Sequence, residues 1–306
     1  MPRRADPDGV LDVDRGPAGL YTKTAVFVPP QVASARVETR AGLRELDTMT
    51  EGLAGLTRQQ RDRERIMPRD TLAPLGDPRM QRPLPALGQV RRPFSSRQKK
   101  ARSKTRLLVE DSLPAVQYAA QKRLVTDPAQ WQAVNDALSE HVGDVQALPD
   151  RDQVEVRRID RAIQAYERRN NRGHVVYCNV AMPFQRSPAE LQRFVAQHFT
   201  AGDRLAFDRY TVGTHQLHET TWHAPGGAGS QVAVFEIHTR RGAYQGHSDS
   251  RDDTAHLLPR GMEFEVVGVG QGSWLAPDGT TGTRTVIQLR DITPEPAPVT
   301  KGRQAR

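Results

Sequence analysis

Two hydrophobic rhythms follow one another along the chain. Trp131, Val134, Leu138 and Val142 recur at steps of three and four, which places them on one face of a helix. Thr126-Asp127-Pro128 ahead of them reads as a cap followed by proline at the first helical position. Ser112 before Leu113-Pro114 marks an earlier start, leading into VQYAAQKRL. Pro149-Asp150 marks a later one, followed by Val154, Ile159, Ile163 and Tyr166, and this third helix stops by Gly173. After Gly173 the period drops to two. The segments HVVYCNVAMP, QVAVFEIHT, HLLPRG, MEFEVVGVG and TRTVIQLRDIT read as strands, with a helical interlude at Pro188–Phe199. Met262, Phe264 and Val266 alternate with Glu263 and Glu265, as one wet face requires. Helices followed by strands without strict alternation predict an α+β fold.

The first third of the chain lacks either rhythm. Residues 1–106 hold 22 Lys and Arg against 12 Asp and Glu, whereas the remaining 200 residues hold 22 against 24, so the excess positive charge sits at the front. The same third holds 11 of the 22 prolines and only three aromatic residues, Tyr21, Phe27 and Phe94. Such composition predicts a long basic, largely disordered N-terminal arm over 1–106, in which Arg36–Leu56 has the pattern of a short amphipathic helix but nothing evident to pack on. The folded domain is expected over 107–293 and a flexible tail over 294–306.

The run Gln89–Arg106 carries eight basic residues and no acid. It is a candidate contact for nucleic acid or another polyanion, held by counterion release, beside the plainer reading of a solvated linker. No apolar run reaches the ~18 residues of a membrane helix, and no apolar stretch follows the charged start as in a secretory leader. The expected setting is therefore cytoplasmic or virion-associated, with no membrane partner. One cysteine excludes an internal disulfide framework and a multi-thiolate zinc site.

Short motifs then carry a resemblance. RIDRAIQAYER leads into VVYCNVAMP, AGDRLAFDRYTVGTHQ follows, then VAVFEIHTRRGAYQG, AHLLPRGMEFEVVGVG and TVIQLRDI. In this order they resemble the ADP-ribosyltransferase fold of bacterial toxins, in its Arg-Ser-Glu branch, whose patterns run VYRGV-x-x-P, GD-x-F-x-x-x-G-F-x-STS and EVLLPRGTKFRVVGV. The resemblance covers about half the chain and implies a split β-sandwich with helices ahead of it, NAD as the donor, no metal, and a protein as possible acceptor. In that branch a strand Arg meets the diphosphate, a Ser-Thr-Ser segment supports the nicotinamide ribose, and a Glu stabilises the positive charge as nicotinamide leaves.

All three signature positions are degenerate here. The Arg falls on Cys178 and the next Gly on Asn179. The Ser-Thr-Ser positions fall on Val212, Gly213 and Thr214, which keeps one hydroxyl. Counting back from Pro259 puts the Glu on Ala255 and the earlier acid of its pair on Asp253. Thr214 and Asp253 are thus the candidate catalytic residues. Cys178, Asn179, Val212, Gly213, Thr214 and Tyr244 are the candidate cofactor contacts. Asp252 is a second substitute carboxylate, and Arg172 or Arg186 a substitute for the lost cation.

Two functions remain open. One is a diverged NAD-dependent mono-ADP-ribosyltransferase or NAD-binding domain. The other is a catalytically silent interaction or structural module on the same fold, for example phage head-associated, with a polyanion-binding arm.

Other constellations read more plainly. Cys178 near His174 or His256 is read as a small buried hydrophobe and not as a nucleophile. His215, His218 and His223, with Glu219 beside them, match no zinc spacing and are read as solvated or capping. Gly226-Gly227-Ala228-Gly229 is read as a flexible turn. Trp222 and Tyr244 are candidate stacking surfaces, and Phe235 belongs in the core.

Overall fold

A computed structural model describes residues 84–141, 143–170, 172–180, 187–221, 233–246 and 254–294, with the backbone of the strand pieces Leu20–Tyr21, Phe27–Val28 and Arg36–Glu38. Four helices come first: α1 (Ser96–Glu110), α2 (Ala115–Thr126), α3 (Pro128–Glu140) and α4 (Asp150–Arg169). Strand β1 (His174–Val180) and helix α5 (Pro188–His198) follow. The remaining strands are β2 (Arg204–Phe207), β3 (Thr211–Thr214), β4 (Ala233–Thr239), β5 (Ala243–Tyr244), β6 (Ala255–Leu258), β7 (Met262–Leu275) and β8 (Thr281–Asp291). The α+β order expected from the two rhythms is the order found. Among the described residues no helix is long and apolar enough to cross a membrane.

Local chemistry sets the helix ends. Asp127 accepts from the Ala129 amide at 3.0 Å, with Pro128 behind it, as the sequence predicts. Ser95 and Gln98 close a capping box on α1, and Ser187 and Glu190 close one on α5. Ser112 differs from its expected role: its hydroxyl donates to the Val109 carbonyl at 2.8 Å and so finishes α1, while α2 begins behind Pro114 with no side-chain cap.

Leu20–Tyr21 pairs antiparallel with Phe27–Val28, and the other strands form one hydrogen-bonded order, Arg36–Glu38, β2, β7, β8, β4, β1, β3, β6, β5, with β8 and β4 parallel and the rest antiparallel. The order is nearly cut in two. β1 pairs with β3 only at Tyr177 and Thr214, whereas β1 and β4 pair over seven residues and β3 and β6 over four. Each half has its own core. Helix α5 lays Leu191, Phe194 and Val195 on Val176, Cys178, Phe235, Phe264 and Leu289 of the larger half. Trp131, Val134, Ile159, Ile163 and Tyr166 of the four-helix layer lie on Tyr210, Val212, Tyr244 and Leu257 of the smaller half. This is the split sandwich with preceding helices.

The beginning of the domain is a correction. The arm was expected to run to residue 106, yet residues 84–106 are built into the fold. Arg91 lays its guanidinium in a fork on Glu236 of β4, both contacts 2.9 Å, and Gln288 donates to the same carboxylate at 2.8 Å. Both charged groups are buried. The Arg91 backbone also bonds to Ser273 and Leu275 of β7 at 2.8 and 3.0 Å. A basic composition signals solvation only while each cation faces water; Arg91 finds a buried carboxylate 145 residues away, which composition does not register. Of the proposed Arg36–Leu56 helix, the first three residues are strand backbone and the remainder lies outside the described residues, as does the tail beyond Pro294.

Asp160 ties the helical layer to the sheet. Asp160 in the middle of α4 accepts from the Tyr210 hydroxyl at 2.6 Å and from Arg260 at 2.8 and 3.2 Å. Arg260 is the arginine of the Leu-Leu-Pro-Arg-Gly motif and also donates to the Gly143 carbonyl at 3.2 Å. Removing one partner of such a buried pair strands the other charge, so Asp160→Ala is expected to lower unfolding free energy by about 3–5 kcal/mol. Urea denaturation checks this, and a loss below about 1 kcal/mol would contradict it.

Candidate functional site

The near-cut between β1 and β3 is where polar chemistry gathers. Strand β3 ends at Thr214, and the chain turns through His215 and Gln216 into a short 3-10 turn, Leu217–Thr221. That turn carries Glu219, which is 1% exposed. Its carboxylate receives hydrogen bonds from the Thr214 hydroxyl, from the Gln216 amide, and from the Thr254 hydroxyl at 2.6 Å. Thr254 directly precedes Ala255, and Ala255 lies opposite Thr214 in the β3–β6 ladder. A carboxylate therefore does sit beside Thr214, but it comes from residue 219.

A cation lies on the other side of the same turn. Asn179 of β1 donates to the Thr220 carbonyl at 3.0 Å and accepts from Arg284 of β8 at 2.8 Å. Burial pushes the Arg284 guanidinium down to about 10. Arg284, Asn179, Thr220, Glu219 and Thr214 thus form one connected polar line across the split.

The sequence-derived candidates are distributed unevenly along it. Thr214 and Asn179 belong to the line. Cys178 points the other way, fully buried in the α5-side core, and burial pushes its thiol well above the usual range. Gly213 lies against it: an ideal Cβ there would stand 2.6 Å from the Cys178 sulfur and 2.7 Å from the Tyr177 carbonyl, so the two strands touch at this point. Val212 packs under the helical layer.

Tyr244, expected as an exposed stacking surface, is instead buried beside His215, with ring centroids 5.8 Å apart. Phe235 is core, as expected. Arg172 is exposed, and its carbonyl meets His174 at 3.0 Å. Asp252, Asp253, Arg186, Trp222, His223 and the glycine-rich run 226–229 lie outside the described residues.

Glu219 and Arg284 are missed by the sequence as partners of this site. The sequence holds one signal for Glu219, an acid five residues after the retained hydroxyl of Thr214. It holds none for Arg284, which alternates with its neighbours like any strand residue.

His215 differs from its expected solvated or capping state: it meets His174 and His256 in one buried cluster, with ring centroids 4.6–5.1 Å apart. His174 faces the carbonyls of Arg172 and Arg241 with both ring nitrogens, at 3.0 and 3.1 Å. His256 faces the Arg241 carbonyl at 3.0 Å and His215 at 3.0 Å, and His215 faces the Val175 carbonyl at 2.8 Å. These contacts need one proton each, and three neutral imidazoles carry only three among them. Protonation would complete the set, but burial opposes the charge more strongly. His174 is pushed down to about 3, and His215 and His256 well below their usual range, with the Arg102 cation adding to the effect.

His218 is buried as well. Among the described residues no group of three His, Cys, Asp or Glu side chains is placed to hold a metal ion. The N-terminal segment locks this region: the Phe94 amide donates to Gln216 at 2.7 Å, its ring stacks on His215, and Arg102 lies 5.0 Å over the same ring.

No family model matches the chain, and no curated protein does. Among solved structures, the enzymatic component C2-I of the C2 toxin from Clostridium botulinum is similar at 15% identity and a TM-score of 0.48. The match covers 66% of this chain and 50% of that one, so the match spans half the length of C2-I. The ADP-ribosyltransferase toxin Plx2a from Paenibacillus larvae is similar at 13% identity and a TM-score of 0.47, over 67% of this chain and 100% of that one. C3stau2 from S. aureus, solved with NAD, is similar at 13% identity and 0.45, over 68% and 100%.

The histidine cluster fixes a pH dependence. Between about pH 3 and 6.5 the unfolded chain binds protons on His174 that the folded chain refuses, and His215 and His256 act in the same direction, so stability falls as the medium is acidified. Glu167 has the opposite sign. Burial raises it to about 7, so between pH 4.5 and 7 it offsets part of the loss. Three groups against one leave the histidines dominant, at up to ~1.4 kcal/mol per pH unit each. The urea midpoint is expected to drop between pH 7 and pH 5; a flat or rising midpoint would contradict the reading.

Proposed function

We propose that this domain binds a nicotinamide dinucleotide at the split between β1 and β3 and cleaves the bond between nicotinamide and its ribose, passing ADP-ribose to water or to a protein acceptor. The observation that carries this is the Glu219 carboxylate held by Thr214 and Thr254. Thr214 is the hydroxyl retained from the Ser-Thr-Ser segment, and Thr254 precedes the alanine that stands at the Glu position.

The residues at two of the signature positions do not suit the dinucleotide. Cys178 offers no cation and faces an apolar core, and Ala255 offers no charge. Two residues elsewhere supply what those positions lack. Arg284 is the cation for a diphosphate, placed by Asn179, and Glu219 is the carboxylate for a ribose, placed by Thr214, Gln216 and Thr254. When the glycosidic bond breaks, its electron pair leaves with the nicotinamide nitrogen. The acceptor forms the new bond to the ribose carbon and releases its proton. A fixed carboxylate out of bulk water acts most strongly at this moment, because positive charge grows on the ribose.

Nicotinamide release from NAD by the full chain tests the reading. Glu219→Gln, which keeps the shape and loses the charge, is expected to lower the rate by roughly 10²–10³ while the melting transition is retained. Arg284→Gln is expected to raise the concentration of NAD needed for half-maximal rate. Loss of activity in Asp253→Ala with Glu219→Gln unaffected would assign the carboxylate to Asp253 instead. No NAD binding by calorimetry would leave the domain as a silent module.

A further inference from the structure

The charges of α4 are sorted by face. Its acids beyond the first turn, Glu155, Asp160 and Glu167, are all buried: Glu155 meets Arg123 at 2.6 Å, Asp160 holds Arg260, and Glu167 accepts from the Gly242 amide at 2.8 Å. The arginines Arg161, Arg168 and Arg169 are exposed, and so is Arg172 just after the helix. Helix α1 holds one acid, Glu110, at its last residue. Lys99 and Ser103 turn inward, while Arg97, Lys100 and Lys104 are exposed at steps of three and four, about 10 Å from first to last along the helix.

The two helices pack together. Arg102 and Arg106 of α1 act on the Tyr166 hydroxyl of α4, and Arg102 acts on His174, so the middle of α1 lies beside the end of α4. Six exposed cations, Arg97, Lys100, Lys104, Arg168, Arg169 and Arg172, therefore come from adjoining stretches that hold no exposed acid between residues 96 and 106 or between 161 and 172. Of the charged residues at the end of α4 only cations thus face solvent, because Asp160 and Glu167 are spent inside the fold, and these cations adjoin the cationic run of α1.

We infer that this face of α1 and α4 binds the phosphodiester backbone of nucleic acid, independently of the nucleotide site proposed above. Four of the six cations are arginines, whose forked donors match phosphate oxygens. The large apolar side chains exposed on α1, Leu107 and Leu108, lie beyond its cationic run and not within it, so a lipid surface would find nothing to take up among the charges. Binding here is sequence-independent and released by salt.

The test measures binding of the full chain to a fluorescent 20-base-pair duplex of arbitrary sequence across a salt series. Lys100→Glu, Lys104→Glu and Arg172→Glu are combined, which leaves untouched Arg168 and Arg169, the last-turn cations that also complement the helix dipole. The wild-type chain is expected to bind with a steep salt dependence. The triple variant, with its melting transition retained, is expected to lose at least tenfold in affinity at moderate salt and to show a salt slope smaller by about two to three. Equal affinity and slope in the two proteins would overturn the proposal, since binding would then run through other residues, and so would no binding by the wild type. Vesicles of anionic lipid form the second arm: capture by vesicles that the triple variant loses, with duplex binding unchanged, would assign the face to a membrane and overturn the proposal as well.

Discussion

Asp160 is a carboxylate removed from water in the middle of a twenty-residue helix, and the domain is organised around satisfying it. Its partners come from three places: Tyr210 at the entry to β3, Arg260 in the turn between β6 and β7, and through Arg260 the Gly143 carbonyl between α3 and α4. An unpaired charge at that depth would cost several kcal/mol, so these segments are held together or not at all. The consequence reaches the split in the sheet. β3 and β6 are anchored at Tyr210 and Arg260, so their four-residue ladder has one register, which places Ala255 opposite Thr214 and Thr254 within reach of Glu219.

The same economy governs the other buried charges. Glu236 takes Arg91 in a fork, and Glu167 takes the Gly242 amide and lies near Arg241. Each of these inward acids takes its solvation from a donor brought by another element, so the long-range arrangement depends on polar partners as much as on the apolar cores. It also separates charge in space, since the acids go in and the helical arginines stay out.

At the split itself, packing and chemistry are exchanged between neighbouring positions. Cys178 and Gly213 bring two strands into contact where a long cation and a hydroxyl stand in the family it resembles. Glu219 and Arg284, on a turn and a strand, border the same place, because adjoining elements reach one point from several positions in the chain.

Periodicity, caps and turn residues are local, and they determined most elements from Asp127 to Asp291, including the Asp127 cap and the alternation of Met262, Phe264 and Val266, whereas the short strands β2, β3 and β5 carry no such rhythm. The Leu-Leu-Pro-Arg-Gly motif was equally plain, and its arginine proves to be a structural anchor. Residues 84–106 were misread because a basic, proline-containing stretch looks solvated until Arg91 meets a carboxylate 145 residues on. Tyr244 and His215 were misread for the same reason, since their burial depends on Phe94, Arg102 and strands far away in sequence. Interactions spanning a few residues thus settled what most segments beyond Asp127 are. Only the tertiary structure decided which charges are buried, which carboxylate stands beside Thr214 and which face of α4 meets water, because those outcomes are set by partners separated by tens to more than a hundred residues.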